Sequence, residues 1–143
     1  MKFFKLPHQF VEFIPSELED GRLYVSIEYA TAVHRCACGC GSKVVTPLSP
    51  AQWQLTFDGE TVSLTPSVGS WQLPCRSHYW IRRDDVHWSG QWTDRQIAVG
   101  RARDRSDVER HFAVHEADQA PLKVDEVPRR RGLLTRLRGW LGR

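Results

Sequence analysis

The stretch that decides the fold is an alternating run of cysteines with a fourth cysteine 35 residues further on: His34-Arg35-Cys36-Ala37-Cys38-Gly39-Cys40-Gly41, and then Cys75-Arg76-Ser77-His78. Four soft donors are what a tetrahedral structural zinc site requires. The two glycines let the backbone turn tightly, because positive φ costs glycine little. We therefore expect a structural Zn²⁺ held by four thiolates: Cys36, Cys38, Cys40 and Cys75. In the alternative ligand set, His78 replaces one of the first three cysteines.

Composition places the chain among ordinary globular proteins. It has 143 residues, of which 41% are hydrophobic and 26% charged, enough for a real core. No apolar run approaches the ~20 residues of a membrane span, and the first residues lack the apolar stretch of a signal peptide. We therefore expect a cytoplasmic location. Thiols stay reduced there, so clustered cysteines indicate a metal site rather than disulfides.

The net charge of +3 is unevenly distributed along the chain. Residues 128–143 contain six arginines and no acidic residue, which leaves 14 basic and 17 acidic residues elsewhere. This slightly negative body is a poor match for nucleic acid. The leucines and Trp140 of residues 128–143 follow one helical stripe. They predict a basic amphipathic helix that docks a partner or a membrane surface.

The body of the chain has the period-two pattern of strands. Residues 22–34 predict one long strand, and residues 52–65 predict a hairpin in which a two-residue Asp58-Gly59 turn pairs Leu55 with Val62. A second hairpin is expected from Tyr79 to Trp88. The composition of residues 66–70 is typical of a turn. Five tryptophans are expected to contribute to the core: Trp53, Trp71, Trp80, Trp88 and Trp92.

These patterns together predict a mainly β protein, a small zinc-stapled antiparallel sheet domain with a helical C-terminal extension. We expect the zinc-binding β domain to span residues 1–100. A short helix, capped at Ser106, and a linker would follow over residues 101–127, and the basic helix over residues 128–143.

Several ordered motifs resemble one family over about residues 10–92. They are the cysteine run, Pro47-Leu48-Ser49-Pro50, Asp58-Gly59, Leu64-x-Pro66-Ser67-Val68-Gly69 and Cys75-x-Ser77-His78-Tyr79-Trp80-Ile81. This pattern resembles the family called domain of unknown function 6527. The resemblance implies a small bacterial metal-binding protein whose partners are a ubiquitin-like protein and E1- and E2-like enzymes. It also implies a processing or deconjugating peptidase of serine type.

A serine peptidase needs a nucleophile, a base and a group that orients the base. Ser77 and Ser67 are the candidate nucleophiles, and His34 and His78 are the candidate bases. Since neighbours on a strand point to opposite faces, Ser77 would pair with His34, or Ser67 with His78. Either Asp58 or Asp84 could orient the base.

The same side chains also fit a protein without catalysis. Serines and histidines beside a metal commonly make only local or supporting hydrogen bonds. The alternative function is therefore a non-enzymatic zinc-binding interaction module that docks ubiquitin-like or conjugating-enzyme partners through a sheet edge.

Overall fold

The structure of the protein is a computed structural model that describes residues 1–119. Two four-stranded sheets precede one helix, which confirms the mainly β fold with a helical C-terminal extension. The predicted basic helix of residues 128–143 lies outside the described residues. The elements are β1 (His8–Phe10), β2 (Leu23–Ser26), β3 (Thr31–Arg35), β4 (Lys43–Pro47), β5 (Gln54–Phe57), β6 (Val62–Gly69), β7 (His78–Arg82), β8 (Asp85–Trp88) and α1 (Asp94–Gln119).

The first sheet has the order β1-β2-β3-β4, with β1 parallel to β2 and the other pairs antiparallel. The prediction of one strand over residues 22–34 is wrong, because the chain reverses between Ser26 and Thr31, which pair with each other. The Ser26 hydroxyl donates to the carbonyl of Glu12 and accepts the N–H of Tyr29. Such side-chain bonds to the backbone compete with strand continuation.

The second sheet has the order β5-β6-β7-β8 and is antiparallel throughout. The predicted β5–β6 hairpin is present, but its register is shifted by two residues. Leu55 pairs with Leu64, and Phe57 pairs with Val62. The turn is longer than expected because the Asp58 carboxylate accepts the N–H groups of Glu60 and Thr61, at 3.0 and 2.7 Å. A sequence pattern does not show that Asp58 would cap a four-residue turn.

The β7–β8 hairpin is confirmed. Its two-residue turn places Arg83 and Asp84 at φ values of 52° and 63°, which matches the twist of the flanking strands. The Asp84 carboxylate accepts the N–H of Val62 at 2.9 Å and contacts Nδ1 of His8 at 3.0 Å. These bonds tie the hairpin tip to β6 and to the N-terminal segment.

Strand β6 contains an irregularity that positions the candidate site. Leu64 pairs with Ile81 and Val68 pairs with Tyr79, so three residues of β6, numbered 65–67, face one residue of β7. The predicted turn over residues 66–70 is therefore wrong, because the strand continues to Gly69. A bulge of this kind re-aims side chains. Leu64 and Val68 both stay in the core, and Ser67 between them is turned outward and half-buried.

The core lies between the two sheets and is built from buried side chains of both, among them Leu23, Val25, Leu64, Tyr79 and Ile81. Helix α1 begins at Asp94, earlier than the predicted start near Ser106. The reason is a reciprocal cap, in which the Thr93 hydroxyl accepts the Gln96 N–H and the Gln96 side chain accepts the Thr93 N–H. Within residues 1–119, no helix has the length and apolar content to cross a membrane.

Candidate functional site

The four cysteines converge at one point. Their Sγ atoms all lie within 4.8 Å of one another, and the Sγ atoms of Cys36 and Cys75 are 3.8 Å apart. All four are free thiols, and 3.8 Å is far longer than the ~2.05 Å of a disulfide bond. The group could hold a metal ion, as the sequence predicted for these four residues.

Local backbone geometry creates this convergence. Cys36 follows β3, and its N–H donates to the carbonyl of Ser42 at 2.8 Å, so the cysteine run forms a closed loop. Gly39 has φ of 82°, and a Cβ there would collide with the backbone of Met1. Cys75 lies just before β7. The cluster therefore joins the end of the first sheet to the second.

The cysteine thiols differ in pKa, and a bound cation would remove this difference by holding all four as thiolates. Burial raises the pKa of Cys36 to about 12, whereas hydrogen bonds from Ser42 lower the pKa of Cys40 to about 6. A metal binds the deprotonated thiolate and displaces its proton. The donor set fits such an ion, since four sulfur donors complete a tetrahedral site.

A serine and a histidine meet on the outer face of the second sheet. The Oγ atom of Ser67 lies 2.8 Å from Nε2 of His78. Ser67 is on β6 at the irregularity, and His78 is the first residue of β7, opposite Gly69. His78 is 3% exposed, and burial lowers its pKa below the ordinary 6.5. A neutral imidazole at hydrogen-bond distance from a hydroxyl is the arrangement of a base and its nucleophile.

The pair opens into a cleft between the second sheet and α1. The cleft has a volume of about 760 Å³ and is lined by Ser67, His78, Trp53, Trp71 and Trp92 on the sheet side. The indole Nε1 of Trp53 donates to the Ser67 carbonyl at 3.3 Å, which fixes the backbone at this position. Five tryptophans expected in the core are only partly buried. Trp88 packs against the core as expected, whereas Trp53, Trp71 and Trp92 line the cleft, a role that aromatic content alone does not reveal.

The other candidate residues lie on the cysteine side of the sheet. Ser77 is 7% exposed, and its side chain is among the groups that lower the pKa of Cys36 against the larger effect of burial. His34 is fully buried, and its Nε2 lies 2.7 Å from the hydroxyl of Tyr79. Burial lowers the pKa of His34 to about 4. The structure therefore does not bring Ser77 and His34 together as a hydrogen-bonded pair, whereas it does bring Ser67 and His78 together.

Neither candidate orienting carboxylate reaches these histidines. Asp58 closes the β5–β6 turn, and Asp84 contacts His8. Nδ1 of His78 is buried and has no hydrogen-bond partner among residues 1–119. Tyr79, a residue that sequence reasoning did not single out, contacts His34, the N–H of Ala37 and Sγ of Cys36. Its sequence signals were its place at the start of a predicted strand and in the motif that ends at Ile81.

The fold and the site define a small, mainly β protein that carries a four-cysteine cluster on one side of a sheet and a serine–histidine pair on the other. Residues 10–89 match the family described as bacterial ubiquitination-like system serine protease (BubE). The match spans more than half of the chain, and the protein belongs to this family. Comparisons with curated proteins and with solved structures gave no match.

Proposed function

We propose that the protein is a serine peptidase that processes or deconjugates a bacterial ubiquitin-like protein, with Ser67 as nucleophile and His78 as general base. The observation that carries the proposal is the 2.8 Å contact between Ser67 Oγ and His78 Nε2. The family description, a serine protease of a ubiquitination-like system, supports the reaction class.

The chemistry follows from the geometry of the pair. His78 Nε2 takes the hydroxyl proton as Ser67 Oγ attacks the carbonyl carbon of the last residue of the ubiquitin-like protein. The imidazolium then gives that proton to the leaving amine, and an acyl-enzyme ester remains on Ser67. Water, deprotonated by the same nitrogen, hydrolyses the ester and restores the hydroxyl. The lowered pKa of His78 keeps the imidazole neutral at neutral pH, as the first step requires.

We assign the four cysteines to a structural zinc ion. A zinc–sulfur distance of ~2.3 Å in a tetrahedron places sulfurs ~3.8 Å apart, and Cys36 and Cys75 have this separation. A four-thiolate site is closed to substrate, so the ion would stabilise the fold rather than activate water. In this assignment Ser77 supports the metal-binding loop from a position beside Cys36, and His34 supports it through the hydroxyl of Tyr79.

The test is cleavage of a ubiquitin-like protein fused through its C-terminus to a reporter, with E1- and E2-like enzymes omitted. Ser67→Ala and His78→Ala are expected to abolish release of the reporter. Ser77→Ala is the matched control, a buried serine ten residues away that should leave cleavage within about threefold, because its hydroxyl exchanges no proton with His78 and the large rate effects come from that exchange. Zinc content and melting temperature must be equal in all variants.

Two outcomes contradict the proposal. Cleavage that survives Ser67→Ala at an unchanged rate excludes Ser67 as the nucleophile. Binding of the ubiquitin-like protein by wild type without any cleavage supports the interaction module instead, in which the domain docks its partner and performs no chemistry.

A further inference from the structure

The buried Nδ1 atom of His78 is the feature that the proposed function leaves unexplained. When Nε2 accepts the Ser67 hydrogen, the neutral ring carries its own hydrogen on Nδ1. In a complete triad a carboxylate receives that N–H and fixes the ring plane. Here Nδ1 is shielded from water and has no hydrogen-bond partner in the described part of the chain.

Three indole rings surround the imidazole instead. The ring centroids of Trp92, Trp71 and Trp80 lie 4.6, 4.8 and 5.2 Å from that of His78. Trp92 is nearly perpendicular to the imidazole, at 77°, and stacks on Trp71 at 5.3 Å. An edge-to-face contact is favourable between a ring edge with positive character and an aromatic face.

We propose that Trp71, Trp80 and Trp92 act as positioning residues in place of the third triad member, fixing the plane of His78 and meeting its Nδ1–H with indole π surface. This inference rests on the proposed function of Ser67 and His78. An N–H···π contact is weaker than a bond to a carboxylate, and packing on three sides supplies the orientation that one hydrogen bond would otherwise give.

The fold holds the indoles in place through glycine. Gly69 pairs with His78 across the β6–β7 ladder, and a Cβ at Gly69 would collide with the indole of Trp71. A Cβ at Gly100 of α1 would lie 3.2 Å from the Trp92 ring. On the other side, the Arg82 guanidinium lies over the ring of Trp80, 5.8 Å from its centroid. Each indole is therefore packed against a defined neighbour.

Besides Arg82 of β7, the charged groups near this face come from α1. Those that line the cleft are Arg103, Asp104, Arg105, Asp107 and Glu109. None of them hydrogen-bonds to His78 within residues 1–119, where the side-chain partner of the ring is Ser67. We therefore expect a substitution of one of these tryptophans to affect the imidazole of His78 directly rather than through an ion pair.

The experiment compares Trp92→Leu with Trp92→Phe, which keeps an aromatic face. Each variant, with its metal bound, is labelled at Ser67 by a fluorophosphonate across pH. His78 is followed by NMR of ¹⁵N-histidine protein to give its tautomer and pKa. We expect Trp92→Leu to slow labelling ~10- to 100-fold, since a small misplacement of a reacting group has effects of this size. Trp92→Phe should stay within about threefold of wild type on the same grounds.

The NMR readout separates positioning from general support of the fold. With Trp92→Leu, the Nδ1–H tautomer should lose its dominance and the pKa of His78 should rise toward 6.5, because water reaches the ring. Unchanged tautomer, pKa and labelling in Trp92→Leu would overturn the inference. Equal loss in Trp92→Phe and Trp92→Leu would also overturn it, since an aromatic face would then not matter.

A glycine pair provides an independent variant. Gly69→Ala should displace Trp71 and slow labelling at least about tenfold, whereas Gly90→Ala, whose Cβ would meet nothing within 4 Å, should not. Equal rates for the two variants would contradict the role of Trp71. Failure of the proposed function can be distinguished from failure of this inference. In the first case wild type would show no labelling of Ser67, while the tautomer of His78 would still report on the indoles.

Discussion

Removing one hydroxyl at the centre of the molecule should destabilise it strongly. Tyr79 is fully buried, and its hydroxyl lies 2.7 Å from Nε2 of His34 and 3.4 Å from the N–H of Ala37. It therefore connects β7, which carries His78, to the loop that carries the first three cysteines. Tyr79→Phe removes this hydroxyl and retains the ring, so the packing volume is almost unchanged.

The magnitude follows from the partners that the substitution leaves behind. Each buried polar group without a hydrogen bond costs ~1–3 kcal/mol, and here the Nε2 of His34 and the weaker-bonded N–H of Ala37 lose their partner. We expect a loss of about 2–4 kcal/mol in the free energy of unfolding, a large part of the ~5–15 kcal/mol of a typical domain. The melting temperature should fall by roughly 5–15 °C.

The assay is urea unfolding of the metal-bound protein, followed by tryptophan fluorescence. The denaturation midpoint should fall while the slope m stays constant. Tyr29→Phe is the matched control, because Tyr29 is 55% exposed, and it should change stability by less than ~0.5 kcal/mol. Equal midpoints for the two variants would refute the reasoning that the Tyr79 hydroxyl bridges the two sheets.

Further predictions concern the metal, the pH profile and the core. Cys75→Ser should lower bound zinc from about one equivalent per chain, the content of a single four-ligand site, and retention of full zinc would contradict the ligand set. The acid limb of cleavage against pH should have its midpoint below 6.5, because the buried His78 has a lowered pKa and is active only when neutral; a midpoint above 6.5 would argue against His78 as base. Leu64→Ala should destabilise the protein by ~2–5 kcal/mol, as a side chain that is 1% exposed leaves a cavity. An effect under about 1 kcal/mol would mean that the two sheets are not packed there as described.

The cysteine positions and two hairpins could be predicted because their signals are local. Spacing and donor chemistry pick out Cys36, Cys38, Cys40 and Cys75, and the structure brings these four together. The tight β7–β8 turn follows from a short polar break between two aromatic runs. The turn after Ser26 was missed because the Ser26 hydroxyl, which accepts the nearby Tyr29 N–H, also donates to the carbonyl of Glu12, in a segment that lies earlier in the sequence.

The β6 irregularity decides which residue of β6 faces His78 across the ladder, and sequence patterns do not reveal it. A regular antiparallel register from the Leu64–Ile81 pair would place Ser67 directly opposite His78, whereas the irregularity places Gly69 there and leaves Ser67 within 2.8 Å of His78 Nε2. The sequence could narrow the choice to two serine–histidine pairings but not decide between them. The enclosure of His78 by tryptophans likewise requires that a strand, a turn and the segment leading into α1 come together. No local sequence pattern encodes such an arrangement.

The central claim is that one hydroxyl, that of Ser67, is activated by His78. Its most direct test is to treat the metal-bound protein with a fluorophosphonate and locate the adduct by tandem mass spectrometry. We expect a single adduct on Ser67 that disappears in His78→Ala while zinc content stays constant. An adduct on Ser77, or labelling of Ser67 that is independent of His78, would contradict the account.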